Sequence, residues 1–313
     1  MPTENPPRRA FFAEIETALH ALNLYGAAGL VAFGWAMGRF LGADPAPWLP
    51  LWFCAALLIY NADRLRTDPA DALNIPERAA ACARWRPAIR GLVILSALVL
   101  IGLPVWRRDW LTLKLVIGGS IVTLGYSLPP RGWRWKDVPL VKTLFAPTVI
   151  TAAIFGLLFS ETDRTYNAAL HTNNSSHLVF EITGFLLLAP WAWCYLLFNM
   201  LLCDLRDRAG DAQCGIRSIP VLWGEKGARR MLWTLACAAQ IFLAVHLRFH
   251  DYAAACGAVL SFLTGLYQAW LLHATRQPRG ERFYEWAVEG LLFLPALAWG
   301  LGWLLYRYVL TDI

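Results

Sequence analysis

Charged residues are scarce in this chain. Only 16% of its 313 residues are Asp, Glu, Lys or Arg, whereas 58% are hydrophobic. This composition excludes an ordinary soluble domain, in which about a quarter of the residues are charged. It is typical of a polytopic membrane protein, whose apolar side chains face lipid and one another.

Cysteine pairs and nucleic-acid motifs are absent as well. The seven cysteines are scattered without a CxxC pair, so they predict neither a zinc site nor a disulfide framework. The net charge of +6 is not accompanied by a nucleic-acid-binding module, so we expect no nucleic acid partner. Residues 1–7 lack an apolar segment with a cleavage site, and we therefore expect insertion without a cleaved signal peptide.

The apolar residues are concentrated in nine runs. A helix needs roughly twenty apolar residues to cross a hydrocarbon core about 30 Å thick. The runs lie near residues 18–41, 47–62, 88–106, 110–128, 139–160, 179–203, 229–249, 252–274 and 285–310. We predict an all-α polytopic protein, with about nine transmembrane helices in one membrane-embedded domain over residues 1–313. Segment 1–17 carries a helical stripe of apolar residues and is predicted to lie along the membrane surface.

Lys and Arg are distributed unevenly between the two sides of this layout. With a cytoplasmic N-terminus, 21 of the 28 basic residues fall on the cytoplasmic side, in the N-terminal segment and the even-numbered loops. Positive residues favour that side. We therefore predict a multi-pass protein of the inner (cytoplasmic) membrane, with its N-terminus and the polar loops near 61–87, 129–142 and 204–229 in the cytoplasm.

The stretch Asn199–Gly227 begins in an apolar run and continues into a polar loop. Asp204, Asp207 and Asp211 are spaced i, i+3 and i+7, which keeps them within about 60° of arc on a helix. Stacked carboxylates repel one another, and a divalent cation bound to a polyanion relieves the repulsion. Oxygen ligands of this kind suit Mg²⁺ carrying a diphosphate. The alternative is a solvated loop with incidental acids.

A second acidic stretch ends the second apolar run. Its polar residues are Asn61, Asp63, Arg64, Asp68 and Asp71. Pro69 is expected to end or kink the helix and to leave Asp71 in a loop. Asn61 and Asp68 share a helix face, whereas Asp63 points nearly opposite to Asn61. An ion-paired helix end is the alternative for each residue alone, but two acidic helix ends on one side of a membrane favour a shared cation bound to an anionic ligand.

A third polar stretch follows the fourth apolar run. Tyr126 ends that run, and Lys136 and Lys142 lie in the segment that follows. Bases beside two acidic patches can neutralise diphosphate oxygens or charge on a leaving group. A role in topology alone would explain the other bases of this segment equally well.

These motifs resemble those of the UbiA-type intramembrane prenyltransferases. The resemblance is carried by Asp204-x2-Asp207-x3-Asp211, by Gly215-Ile216-x-Ser218-Ile219-Pro220-Val221, and by Tyr126-Ser127 with Lys136 and Lys142. It implies a ring of helices around a central cavity, in which two aspartate-rich motifs bind Mg²⁺ and a polyprenyl diphosphate. It also implies transfer of the prenyl group to an aromatic or other lipophilic acceptor within the bilayer.

The resemblance further implies a set of site residues. The Mg²⁺ ligands would be Asp63, Asp68, Asp71, Asp204, Asp207 and Asp211. The catalytic residues would be Asp63, Lys136, Asp207 and Asp211. The substrate-binding residues would be Asn61, Arg64, Tyr126, Lys142, Asn199 and Arg217. In this scheme the metal draws charge from the diphosphate so that the allylic C–O bond can break, and Lys136, Lys142 and Arg217 stabilise the departing pyrophosphate.

The first acidic stretch departs from the family pattern. Family members usually show Asn-x3-Asp-x3-Asp, whereas this chain has Asn61-x-Asp63-x4-Asp68-x2-Asp71. Either the same residue types complete the metal site in another arrangement, or the chemistry is changed. The alternatives to a prenyltransferase are therefore a terpene cyclase of the same fold and a non-catalytic protein that binds or transports prenyl lipids.

Overall fold

The structure is a computed structural model that describes residues 6–66, 69–127, 135, 138–169, 175–249 and 254–310. Within these ranges the regular secondary structure is helical and contains no strand. The predicted all-α class is therefore confirmed.

The long helices follow the apolar runs of the sequence. They are α1 (Pro6–Ala21), α2 (Leu24–Phe40), α3 (Leu49–Arg64), α6 (Arg86–Trp106), α7 (Trp110–Ser127), α8 (Val141–Ala169), α9 (Ser175–Gln213), α10 (Ile219–Phe249) and α11 (Ala254–Ala274). Two short helices, α4 (Pro69–Asn74) and α5 (Pro76–Arg84), follow α3. The last stretch begins with α12 (Glu281–Phe283), passes through a π-helical turn and a 3₁₀ turn, and ends in α13 (Leu294–Leu305) and a second π-helical turn.

Helices α1 and α2 meet at a bend of 60°. Asn23 adopts a left-handed conformation there, with φ of 56°, which Asn tolerates better than most residues. The break leaves backbone carbonyls without helical partners. The side chain of Asn61 donates a hydrogen bond to the carbonyl of Leu22 at 3.0 Å, so α3 holds the bend in place.

Asp71 lies in a helix, and the expectation that it lies in a loop is wrong. Helix α3 ends at Arg64, and Pro69 begins α4, with Asp71 in its first turn. Proline is tolerated at the first position of a helix because its missing N–H would have no partner there. Pro69, which was expected to end or kink a helix, therefore begins α4.

The long helices form a closed ring. Among the described residues, each member of the following series contacts the next, and the last contacts the first: α2, α3, α6, α7, α8, α9, α10, α11 and α13. The outer surface of the ring is apolar. On α6, for example, Ile94, Leu98 and Ile101 are more than half exposed and lie at helical spacing on one face. Such a face suits contact with lipid.

Six helices are long and apolar enough to cross a membrane, and α1 with α2 would add a seventh if counted as one bent span. Helix α3 has 16 residues, and the apolar part of α7 covers Trp110–Thr123. The described residues therefore contain six or seven candidate spans, and the count of nine remains a prediction. The protein is an integral, multi-pass membrane protein.

Aromatic side chains fill the interior of the ring. Phe33 of α2 stacks on Trp191 and Tyr195 of α9, with ring centroids 6.0 Å and 5.8 Å away. All three side chains have 0% exposure. Tyr195 also donates its hydroxyl hydrogen to the carbonyl of Leu291 at 2.7 Å. This packing joins α2, α9 and the last stretch of the chain.

Candidate active site

One face of α9 lines a cavity at the end of the ring where α2 begins. This face consists of Asn199, Met200, Cys203, Arg206 and Asp207, which are spaced i, i+1, i+4, i+7 and i+8. Such spacing places side chains on one side of a helix. The cavity has a volume of about 290 Å³.

The other walls come from distant parts of the sequence. Helix α2 contributes Gly26 and Leu30, α3 contributes Tyr60 and Asp63, and α4 contributes Asp71. Helix α5 and the last stretch of the chain complete the lining, with Arg78, Cys82, Tyr284, Glu289 and Leu292 among the residues they supply.

Arginine is the main cationic residue of the cavity. Among the described residues, five arginines line it: Arg64, Arg66, Arg78, Arg86 and Arg206. Guanidinium groups bind phosphate oxygens through paired, charge-assisted hydrogen bonds. The cavity wall is therefore suited to an anionic, oxygen-rich group such as a diphosphate.

Asp207 faces this cavity and pairs with its neighbour. The guanidinium of Arg206 donates hydrogen bonds to both carboxylate oxygens of Asp207, at 2.7 Å and 3.1 Å. The same guanidinium lies 4.9 Å from the centre of the Tyr284 ring, in a cation–π arrangement. Arg206 is thus held between an anion and an aromatic ring at the cavity wall.

Asp204 and Asp211 face α8. The Nζ atom of Lys142 donates to both carboxylate oxygens of Asp211, at 2.7 Å and 2.6 Å, and lies 3.7 Å from Oδ1 of Asp204. Thr143 donates its hydroxyl hydrogen to Oδ2 of Asp204. Lys142, which was predicted to bind substrate, therefore joins α8 to α9.

The polar residues of the first acidic stretch also have two surroundings, the cavity and the bend between α1 and α2. Asp63, Arg64 and Asp71 line the cavity. Asn61 is 0% exposed, and its amide group binds the bend between α1 and α2. Arg64 also contacts that bend, because it donates to the carbonyls of His20 and Ala21 at 2.5 Å and 3.0 Å.

The remaining predicted site residues lie in three settings. Asn199 lines the cavity and donates to the carbonyl of Val288 at 2.5 Å. The Tyr126 ring stacks on Phe145 with centroids 4.1 Å apart. Arg217 is exposed, and its carbonyl accepts a hydrogen bond from the backbone of Leu140. The predictions for Asp68 and Lys136 lie outside the described residues.

The cavity supplies suitable donors for the implied Mg²⁺. Among the residues that the structure describes, no three His, Cys, Asp or Glu side chains are grouped as a metal site. However, proteins that bind Mg²⁺ together with a phosphate substrate commonly hold the ion through one or two carboxylates, the substrate phosphates and water. Asp63, Asp71 and Asp207 line the same cavity and offer carboxylates of this kind. Asp204 and Asp211 instead lie outside this lining and face Lys142 of α8.

The thiol of Cys82 in the cavity wall is unsuited to act as a nucleophile. Burial raises the pKa of this thiol above its ordinary value, and the nearby Arg64 and Arg78 only partly oppose the effect. The group therefore stays protonated at neutral pH, and a thiol is a weaker nucleophile than a thiolate.

Sequence reasoning missed Arg78 and Arg206. Arg206 could have been found from its helical spacing, because it lies three residues after Cys203 and seven after Asn199. Arg78 carries no such signal, since it is placed by contacts with residues more than 200 positions away. Both carboxylate oxygens of Glu281 accept backbone hydrogens at the start of α5, one of them from Arg78, and Arg78 lies 3.9 Å from Glu289.

Sequence reasoning also missed a contact between the two acidic stretches. The side-chain carbonyl oxygen of Asn74, at the end of α4, accepts a hydrogen bond from the backbone of Gly210 at 3.0 Å. A Cβ atom at position 210 would lie 2.2 Å from that oxygen. Glycine therefore allows α4 to approach α9 within one turn of Asp207.

Comparison with known proteins places the chain in a family. No curated protein and no solved structure matches the chain. A family model, the UbiA prenyltransferase family, matches residues 70–297, which is more than half of the chain. The matched region contains the whole second aspartate motif together with Arg78 and Arg206, whereas Asn61 and Asp63 precede it. The chain therefore belongs to the UbiA prenyltransferase family.

Proposed function

We propose that this protein transfers a prenyl group from a prenyl diphosphate to a lipophilic acceptor, within the membrane and with Mg²⁺. The observation that carries the proposal is the cavity in which five arginines and three aspartates meet at the end of a membrane helix ring. Family membership supports prenyl transfer in general. The identity of the donor and the need for Mg²⁺ are part of the proposal.

The arginines would bind the diphosphate and stabilise it as a leaving group. Arg78 and Arg206 lie in different walls, on α5 and α9, so guanidinium groups can approach the diphosphate from two sides. As the allylic C–O bond breaks, negative charge moves onto the pyrophosphate oxygens. Cationic donors already in position stabilise that charge without reorganisation.

One or two of the carboxylates of Asp63, Asp71 and Asp207 would hold the Mg²⁺ together with diphosphate oxygens. When bound, the ion would neutralise phosphate charge and polarise the leaving group. The close pairing of Asp207 with Arg206 would keep that carboxylate oriented toward the cavity before substrate arrives.

The apolar part of the cavity would receive the first part of the prenyl chain. Leu30, Met200 and Leu292 line it, and side chains of this kind exclude water from the reacting carbon. The electron-deficient allylic carbon would then be attacked by a nucleophile of the acceptor. The acceptor loses a proton in the same exchange, so prenylated product and pyrophosphate leave.

Pyrophosphate release from an allylic diphosphate tests the proposal. The purified protein in nanodiscs, supplied with Mg²⁺, an allylic diphosphate and a host lipid extract, should release pyrophosphate and form a new prenylated lipid. A cyclic hydrocarbon as the product would indicate a terpene cyclase. Binding without pyrophosphate release would indicate a prenyl-lipid binding protein.

A pair of variants tests the site. Asp207→Asn should lower turnover at least 10-fold, because it removes a cavity carboxylate while keeping the side-chain size. Arg208→Gln is the matched control, since Arg208 is the exposed next residue of α9, and it should retain wild-type turnover. Equal activity of Asp207→Asn and the wild type would remove Asp207 from the site.

A further inference from the structure

The cavity becomes apolar toward the middle of the ring. On α2, the lining continues from Asn23 through Gly26 to Leu30, and on α9 it continues from Asp207 back to Asn199. Both helices therefore lead from the charged mouth toward the bilayer interior. A prenyl chain whose diphosphate meets the arginines would extend in this direction.

An aromatic floor lies about one helical turn beyond the last lining residues. Phe33 follows Leu30 by three residues, and Tyr195 precedes Asn199 by four, which corresponds to about 4.5 Å along α2 and about 6 Å along α9. Phe33, Trp191 and Tyr195, which we call the aromatic floor, stack on one another, with Trp191 and Tyr195 centroids 5.0 Å apart. The floor is fully buried.

A hydrogen bond fixes the Tyr195 side chain of the floor. The Tyr195 hydroxyl donates to the carbonyl of Leu291 at 2.7 Å, next to the cavity residue Leu292. Displacing the ring would break this bond, and a buried hydroxyl that loses its hydrogen-bond partner is costly. Side chains that interdigitate at interior density cannot make room for extra carbon atoms without strain.

The lining of the cavity ends before the floor. Leu30 and Asn199 line the cavity, whereas the three floor residues lie behind them. A chain that fills the apolar part of the cavity therefore meets the floor at its far end.

We infer that the aromatic floor limits the prenyl donor to a short chain, with Phe33 as the main determinant. The inference rests on the proposed function, because it assumes that the cavity binds a prenyl diphosphate. The Phe33 ring joins α2 to both aromatic rings of α9. A long-chain donor would have to displace the floor, whereas a dimethylallyl or geranyl chain would end above it.

A series of non-hydrolysable thiolodiphosphates tests the wild-type protein directly. Dissociation constants are measured for the dimethylallyl, geranyl, farnesyl and geranylgeranyl compounds, with inorganic pyrophosphate as the headgroup alone. Tightest binding of dimethylallyl or geranyl, with at least a 10-fold loss at geranylgeranyl, is expected. Equal or tighter binding of the longest chain would overturn the inference while leaving the proposed function intact. Failure of every compound to bind would count against both.

Two variants identify the determinant. Phe33→Ala shortens the floor and should improve geranylgeranyl binding at least 10-fold relative to dimethylallyl. Phe40→Ala removes the same side chain from the same helix, two turns farther from the cavity, where Phe40 is buried against Trp299. This control should leave the ratio unchanged. If both variants change the ratio equally, or if neither does, Phe33 is not the determinant. Should Phe33→Ala fail to fold, Phe33→Leu gives the same comparison with a smaller loss of volume.

Discussion

The Nζ atom of Lys142 lies 2.6 Å and 2.7 Å from the two carboxylate oxygens of Asp211, whose side chain is 0% exposed. The pair joins the beginning of α8 to the end of α9, across 69 positions of the sequence. Asp204 completes the group at 3.7 Å from the same ammonium. A charge buried in this way depends on its partner, because water cannot replace that partner.

We predict that Lys142→Met destabilises the protein strongly. The substitution leaves Asp211 buried without its cation, and removing one partner of a buried ion pair costs about 3–5 kcal/mol. Denaturant unfolding in detergent, followed by tryptophan fluorescence, measures the change. The double variant Lys142→Met/Asp211→Asn should recover part of the loss, because the orphaned charge is gone. Wild-type stability of Lys142→Met would show that the pair contributes little.

We predict that Arg78→Gln weakens binding of inorganic pyrophosphate at least 10-fold, since a charge-assisted contact to phosphate contributes about 1.5–3 kcal/mol. Isothermal titration calorimetry in the presence of Mg²⁺ provides the measurement. Arg84→Gln is the control, because Arg84 lies on the same helix but at the surface, paired with Glu14. A similar loss in both variants would mean that total charge matters and that Arg78 has no specific role.

We predict that Gly210→Ala destabilises the protein, and that adding Asn74→Ala reverses part of the effect. The new methyl group would meet the Asn74 oxygen at 2.2 Å, so the Asn74 side chain has to move and lose its hydrogen bond to Gly210. Shortening Asn74 removes the collision and the hydrogen bond together. A double-mutant cycle in the free energy of unfolding should show a coupling of about 1 kcal/mol or more. Strict additivity would contradict the contact.

We predict that the cavity faces the cytoplasm. In a cysteine-free background, restored Cys214, which is exposed just after α9, should react with an impermeant maleimide only from the cytoplasmic side. Asp44→Cys, in the exposed connection between α2 and α3, should react only from the other side. The reverse pattern would contradict the orientation derived from the distribution of Lys and Arg.

Much of the fold could be predicted from the sequence because apolar length is a local property. Each of the nine apolar runs corresponds to helical structure, and the bounds differ where polar residues continue a helix, as in α9, which extends to Gln213. The position of Asp71 was missed for a related reason. Proline can end one helix or begin another, and the structure shows that Pro69 begins α4, whose last residue, Asn74, bonds to Gly210 of α9.

The site was harder to predict because the position of a side chain around its helix does not show which neighbouring helix it contacts. The register placed Asp204, Asp207 and Asp211 within about 60°, and the structure is compatible with that arc. The side of α9 that faces the cavity and the side that packs against α8 nevertheless meet within that arc. Asp207 lies on one side with Arg206, and the other two acids lie on the side of Lys142. The sequence contains the charges, but the packing of α8 decides how they are paired.

The walls of the cavity are synthesised far apart in time. Residues of α2 and α3 leave the ribosome first, the α9 wall follows well over a hundred residues later, and Glu289 and Leu292 come last. Chains that fold during synthesis begin with their N-terminal parts. A nascent chain that has not yet inserted its last helix therefore already carries Arg64, Arg78 and Arg206 beside an incomplete cavity, without the Glu281 contacts that hold the start of α5. Insertion of the final hydrophobic segment is thus the step of biogenesis that completes the binding site.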